Sequence, residues 1–231
     1  MNIMKQTILL TGGSGGIGSE LGKQLLEEGH DVYFIVRNLE KTQTIFSNFP
    51  NAHIELRDLE DYEDIVIYCR LRAQEGIIFD KVLLLAGDLR KDSNEMFAGD
   101  TVEEKEKNSI IYHELVNVRT AETVVFGLKD AFGEKLKNTV LLAVSSWAAH
   151  FEVGHPYRKD EEGYVRAKAR LSQLLSDWQI EGFFKEVICE EPALIVSPMT
   201  EREFPELIAN PEVQKLQPTE YVIHLRKVIA A

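Results

Sequence analysis

Six short apolar runs, separated by longer stretches with helical spacing, constrain the fold of this 231-residue chain more than any other feature. They occupy residues 7–11, 31–37, 53–57, 81–86, 138–145 and 186–192. The second, fourth, fifth and sixth runs are almost continuously apolar rather than alternating. That is the pattern of strands buried on both faces of a parallel sheet. Residues 17–28 read as the first helix, stopped by Gly29, a residue suited to the left-handed position after a helix. Asp160 is expected to cap a later helix, with Glu161 and Glu162 in its first turn. In that helix Tyr164, Lys168, Leu171, Leu175 and Trp178 fall three or four apart and share one face. No repeat or linker divides the chain. The alternation predicts an α/β fold, a doubly wound parallel sheet with right-handed crossovers, as one domain over residues 1–231.

Charge narrows the partners. Against 26 Lys and Arg stand 38 Asp and Glu, a formal charge of −12. Such a surface disfavours nucleic acid, whose phosphates must be met by cations, and anionic membranes. The apolar runs are too short to span a bilayer, and no signal peptide is visible at the N-terminus. Cys69 and Cys189 have no paired spacing, and the scattered histidines lack the helical pairing of a zinc site, so neither a disulfide framework nor a metal is expected. A cytoplasmic location follows as the expectation. The acidic and basic run at residues 103–107 reads as a solvated helix face.

Residues 11–18 read TGGSGGIG, directly after the first strand and opening the first helix. In this context Gly12 makes the tight turn, Gly16 lets a pyrophosphate approach the backbone, and Gly18 packs helix on strand. The helix N-terminus presents N–H groups and partial positive charge to the anion. Ser14 adds a hydroxyl donor, and Ile17 lies in the same loop. The second strand ends Phe34-Ile-Val-Arg37-Asn38, with no carboxylate to accept from a ribose 2′-hydroxyl. Arg37 instead suits a 2′-phosphate, which favours NADP(H) over NAD(H).

A second signature, Tyr164-Val-Arg-Ala-Lys168, lies downstream of Ser145-Ser146. Together with the glycine loop and in this order, it resembles the short-chain dehydrogenase/reductase family over almost the whole chain. The resemblance implies a Rossmann fold and a hydride-transferring oxidoreductase acting on a carbonyl or secondary alcohol. It assigns Tyr164 as acid/base, Lys168 as the cation that lowers its pKa and holds the nicotinamide ribose, Ser146 as donor to the substrate oxygen, and Asn117 as a proton relay. Asp58-Leu59 is similar to the pair that meets adenine. Ala86-Gly87 stands where the family has Asn-Ala-Gly, with Leu85 replacing the asparagine that braces the sheet. Residues 192–199, PALIVSPM, resemble the segment that holds the carboxamide, through Pro192, the backbone of Ile195 and the Ser197 hydroxyl.

Trp147, His150, Phe151, His155 and Tyr157 read either as an aromatic wall for the substrate or as a loop packed on itself. Residues 199–217 read as a lid. Two rival functions share the fold: an NADP(H)-binding regulator without turnover, and an epimerase or dehydratase of nucleotide-sugars. The intact Ser146, Tyr164 and Lys168 argue against the first, and the shortness of the chain argues against the second. The family's seventh strand is expected to be missing. The sixth would then be an edge guarded by Glu190, Glu191 and Pro192. A homodimer through the Asn117 and Tyr164 helices is expected, with a monomer as the alternative and no family-type tetramer, and with Leu171, Leu174, Leu175 and Trp178 in its interface or in the core.

Overall fold

The computed structural model describes residues 4–152, 155 and 160–230. Its six strands are β1 (Thr7–Thr11), β2 (Asp31–Val36), β3 (Ala52–Leu56), β4 (Lys81–Leu84), β5 (Val140–Val144) and β6 (Glu186–Glu190). They form one parallel sheet in the order β3-β2-β1-β4-β5-β6. The order reverses between β1 and β4, so a crevice opens at the carboxyl ends of those two strands.

Alternate strand residues feed two cores. Leu9, Ile35, Val82, Leu84 and Leu141 face α3 (Tyr62–Gln74), α5 (Thr120–Phe132) and α6 (Glu162–Glu181). Ile8, Leu10, Phe34, Leu83 and Leu142 face α1 (Gly16–Glu27), α2 (Leu39–Phe46) and α9 (Pro218–Ala230). Covering both faces is what allows the strands to be apolar throughout. At the foot of the sheet the Lys81 ammonium is buried and donates to the Ile229 carbonyl, in the last turn of α9. The remaining helices are α4 (Val102–Glu114), α7 (Pro198–Glu203) and α8 (Pro205–Ala209).

Several expectations change. Asp160 does not cap α6; it has a φ of +66° and accepts from the Ser93 N–H and hydroxyl at 2.6 and 2.5 Å. The cap comes from Asp92 across the chain, whose carboxylate accepts the N–H groups of Glu162 and Gly163 at 2.7 and 3.2 Å. Leu171, Leu174, Leu175 and Trp178 are all buried in the first core, so they cannot form the contact surface of the expected homodimer. Among the described residues β6 pairs with β5 alone. Glu190 and Glu191 do not simply guard that edge: Glu190 meets His224 at 2.9 Å, and Glu191 meets Ser172 and His150, both at 2.7 Å.

Candidate active site

The loops after β1 and β4 press together at the switch point. Gly12 has a φ of +76°, and a Cβ there would lie 2.7 Å from the backbone of Leu85 and Ala86. At Gly18 a Cβ would come within 2.3 Å of the Gly12 carbonyl. Both positions therefore need glycine to fold. Gly16 does not, since its nearest neighbour would be Ser197 Cβ at 3.7 Å, ordinary contact. A bare backbone there serves a ligand better than it serves packing, which fits a dinucleotide cradle at the start of α1. The bracing lost with Leu85 comes from Thr11, whose hydroxyl oxygen accepts the N–H groups of Leu85 and Ala86, each at 3.2 Å.

Asn117 sits in a single π turn, Leu115–Arg119, that joins α4 to α5 without a break in the helix. Such turns re-aim one side chain at the cost of a widened helix. Asn117 is 1% exposed. Its amide donates to the Asp88 carbonyl at 2.9 Å and accepts the Asp88 N–H at 3.3 Å, stitching down the turn after β4. A Cβ on Gly87 would lie 2.6 Å from Asn117 Oδ1 and 3.6 Å from Lys168 Nζ, so these three converge.

Helix α6 is fixed from two sides. Asp92 holds its N-terminus and also accepts the Ser109 hydroxyl at 2.5 Å. Gly163 lets α4 approach closely, for a Cβ there would meet Ser109 Oγ at 2.6 Å and His113 Nδ1 at 2.9 Å. Burial pushes the His113 pKa down. Its Nε2 accepts the Arg90 N–H at 3.1 Å, which assigns the proton to Nδ1, facing the Ser109 carbonyl at 2.9 Å. The neutral ring stands edge-on to Tyr164 at 5.9 Å.

Tyr164 and Lys168, one turn apart, both line a cavity of about 620 Å³. Lys168 Nζ donates to the Val144 carbonyl at 3.1 Å and lies 5.6 Å from the centre of the Tyr164 ring. The expected lowering of the Tyr164 pKa by Lys168 does not occur in this state. Burial pushes Tyr164 up to about 12, helped by the charges of Glu161 and Asp88, while a hydrogen bond with Ser146 pulls the other way. Lys168 is itself drawn down to about 8 by burial, which weakens its hold as a cation. Ser145 and Ser146 both border the cavity, but the Ser145 hydroxyl is spent on the Lys168 carbonyl at 3.0 Å, a structural role.

Ile17, Gly87, Asn117, Ser146, Pro192, Ile195 and Ser197 join Tyr164 and Lys168 around this cavity. Ser197 also forms a reciprocal cap with Thr200 at the start of α7, and Ile195 pairs with Leu216. Gly12 and Ser14 lie in the loop after β1, Gly16 and Gly18 in the first turn of α1, and Ala86 in the loop after β4. Arg37, Asp58 and Leu59 stand farther off, past the ends of β2 and β3. Arg37 faces Glu60 at 3.7 Å with its side chain 60% exposed. Asp58 is exposed and accepts the Glu60 N–H at 3.0 Å, and Leu59 is buried in the first core. Trp147 and Phe151, edge to face at 4.8 Å, form part of the cavity wall. His155 stacks on Phe151, while His150 turns out to Glu191. Tyr157 lies outside the described residues.

The sequence reading missed Asp88, Arg90, Arg202 and Glu203. Asp88 lines the cavity and accepts from Tyr112 at 2.6 Å, Arg90 at 3.0 Å and Arg202 at 3.2 Å. Burial would raise its pKa, but hydrogen bonds from Tyr112, the Leu89 N–H and Arg90 hold it below the usual range. Glu203, buried on α7, accepts the Lys91 N–H at 3.0 Å and docks that helix on the loop after β4. No periodicity marks these residues; only the charge density after Gly87 could have drawn attention to them.

Comparison with known proteins agrees with this architecture. A profile of the short chain dehydrogenase family matches residues 6–75, from β1 through α3. An uncharacterized oxidoreductase of Bacillus subtilis, DltE, is 31% identical over 109 residues, 45% of this chain and 43% of that protein. The chain resembles in fold the 3-ketoacyl-(acyl-carrier-protein) reductase of Brucella melitensis, solved with NADH (TM-score 0.77, 19% identity, 96% of this chain and 90% of that one). It likewise resembles an alcohol dehydrogenase of the archaeon Thermococcus sibiricus, solved with 5-hydroxy-NADP (TM-score 0.77, 17% identity, 99% and 92% covered). The first third of the chain thus matches the short-chain dehydrogenase family, and the whole chain shares the fold of the solved structures; it spans less than half the length of the curated relative it matches. Among the described residues no helix is long and apolar enough to cross a membrane.

Proposed function

We propose that this single-domain protein is an oxidoreductase that interconverts a carbonyl and a secondary alcohol with a nicotinamide dinucleotide, NADP(H) in preference to NAD(H). The observation that carries the reading is the convergence of Ser146, Tyr164, Lys168, Gly87 and Asn117 on one cavity, beside a glycine loop whose Gly16 the fold does not require. The loop at residues 12–18 would hold the pyrophosphate. Lys168 would hold the nicotinamide ribose, and Ile195 and Ser197 the carboxamide. Asp58 and Leu59 would meet the adenine.

When bound, the reduced nicotinamide supplies hydride to the substrate carbon. Ser146 donates a hydrogen bond to the substrate oxygen and steadies the negative charge that grows there. Tyr164, held protonated by burial, donates its hydroxyl proton to the same oxygen. The phenolate left behind would be met by the Lys168 ammonium, and Asn117, fixed on the Asp88 backbone and converging with that lysine on Gly87, would relay the proton towards solvent. The preference for NADP(H) rests on Arg37. Its exposed pair with Glu60 is weak, so a 2′-phosphate displaces it cheaply. The free cysteines Cys69 and Cys189 suit a reducing cytoplasm.

The test is an NADPH-oxidation screen across ketones, aldehydes, sugars and acyl thioesters, beside direct titration with NADPH and NADH. Turnover of a carbonyl with tighter NADPH binding is expected. NADPH binding with no turnover on any carbonyl or alcohol would favour the regulator instead.

A further inference from the structure

Reduction of a plain ketone leaves one group in the cavity without a task. Glu161 lines it three residues before Tyr164, at the N-cap of α6, yet its side chain makes no capping bond. Asp92 has taken that position. Of the other acids lining the cavity, Asp88 has three donors and Glu212 is exposed to water, while nearby Glu203 has the Lys91 N–H and two arginines. Lys91, the cation that acts on Glu161, is paired with Glu206 at 3.3 Å. Among the described residues lining the cavity, Lys168 carries the only positive charge, and the proposed reaction uses it.

Trp147, Phe151, Phe204 and Leu207 make much of the cavity wall apolar. Burial pushes the Glu161 pKa up to about 8, against the pull of Lys91. A ligand that brings a positive charge relieves that penalty, and aromatic faces also attract an ammonium. An anionic ligand would add to that penalty, and a wholly apolar one would leave the carboxyl buried without a partner.

Resting on the oxidoreductase reading, we infer that the substrate is an apolar amino ketone or amino alcohol, its ammonium on the Glu161 carboxylate and its oxygen on Tyr164 and Ser146. The placement couples recognition to chemistry. Charged Glu161 opposes ionisation of Tyr164, and an ammonium that neutralises it removes that opposition.

Two probes that differ by the amine alone test this: 2-amino-1-phenylethanol and 1-phenylethanol, titrated into NADP⁺-saturated protein by calorimetry. The amino alcohol should bind about tenfold or more tightly at neutral pH, the scale of a charge-assisted hydrogen bond. Glu161→Gln should bring the two affinities to within about twofold of each other. Equal affinities in the unaltered protein overturn the inference, as does a preference that survives Glu161→Gln. Turnover separates the two readings. Equal kcat/KM for both alcohols leaves the oxidoreductase standing and removes the amine site. Tight, Glu161-dependent binding with no turnover of any alcohol or ketone does the reverse.

Discussion

At the inner end of the groove Lys168 is 6% exposed and hydrogen-bonded to the Val144 carbonyl, and Asn117 is clamped to both backbone groups of Asp88. At the outer end the Arg37 side chain is 60% exposed and meets Glu60 at 3.7 Å. The inner groups are held by backbone atoms of the sheet and by the Asp92 cap, so they cannot move without disturbing the core. The outer pair is a surface ion pair, of a kind worth about 0–1 kcal/mol. The proposed function thus places chemistry at the rigid end, and choice of cofactor at an end that one substitution would rewrite.

The largest stability effect should come from charge at the rigid end. The Lys168 pKa falls from the ordinary 10.5 to about 8 on folding, because burial disfavours the ammonium. Below pH 8 both states are protonated, and the folded chain bears the full cost of the buried charge. Between about 8 and 10.5 the folded chain loses its proton first, so the contribution of this group to stability rises with pH, by about 3 kcal/mol in all. Denaturant unfolding of the native chain and Lys168→Met should show the difference shifting towards the native chain across this window. A difference that stays flat would mean that the lysine is not desolvated.

Next comes the cap. Asp92→Ala strands the Glu162 and Gly163 N–H groups and the Ser109 hydroxyl, and should lower unfolding free energy by about 2 kcal/mol. The same substitution at Asp160, the cap expected from sequence, should cost less, because its bonds go to the exposed Ser93. Equal losses at the two positions would blur the contrast between them.

The outer end should respond least in energy and most in specificity. NADPH should bind well over tenfold more tightly than NADH, and Arg37→Asp should erase or reverse that preference, a change of about 1.4 kcal/mol or more. Titrations with both cofactors measure it, and equal affinities in the native protein would remove Arg37 from the account.

What could be read in the sequence follows the same division. Gly12 and Gly18 were legible because their conformation and crowding admit no side chain, and Tyr164 and Lys168 because four residues on a helix share a face. Strand β1 matched its expected range, while the run at residues 81–86 ends as a strand at Leu84, since Leu85 and Ala86 bond to Thr11 instead. The Asp92 cap lies seventy residues from Glu162, and no local pattern encodes it. Nor does spacing reveal burial: Lys168 beside Tyr164 reads as a lowered tyrosine pKa until both are found desolvated. The same blindness hid Glu161, which in the chain looks like one more acid at a helix start.

Tyr164→Phe puts the division of labour to its most direct test. The substitution keeps the ring that packs on His113 and removes only the proton donor. With a substrate that the native protein turns over, kcat should fall about a thousandfold, within the usual range for loss of a general acid. NADPH affinity, measured by titration of the same preparation, should change by less than about twofold, as fits a donor that faces the substrate. A variant that keeps most of its turnover, or that loses NADPH binding along with it, would contradict the assignment of Tyr164 as acid.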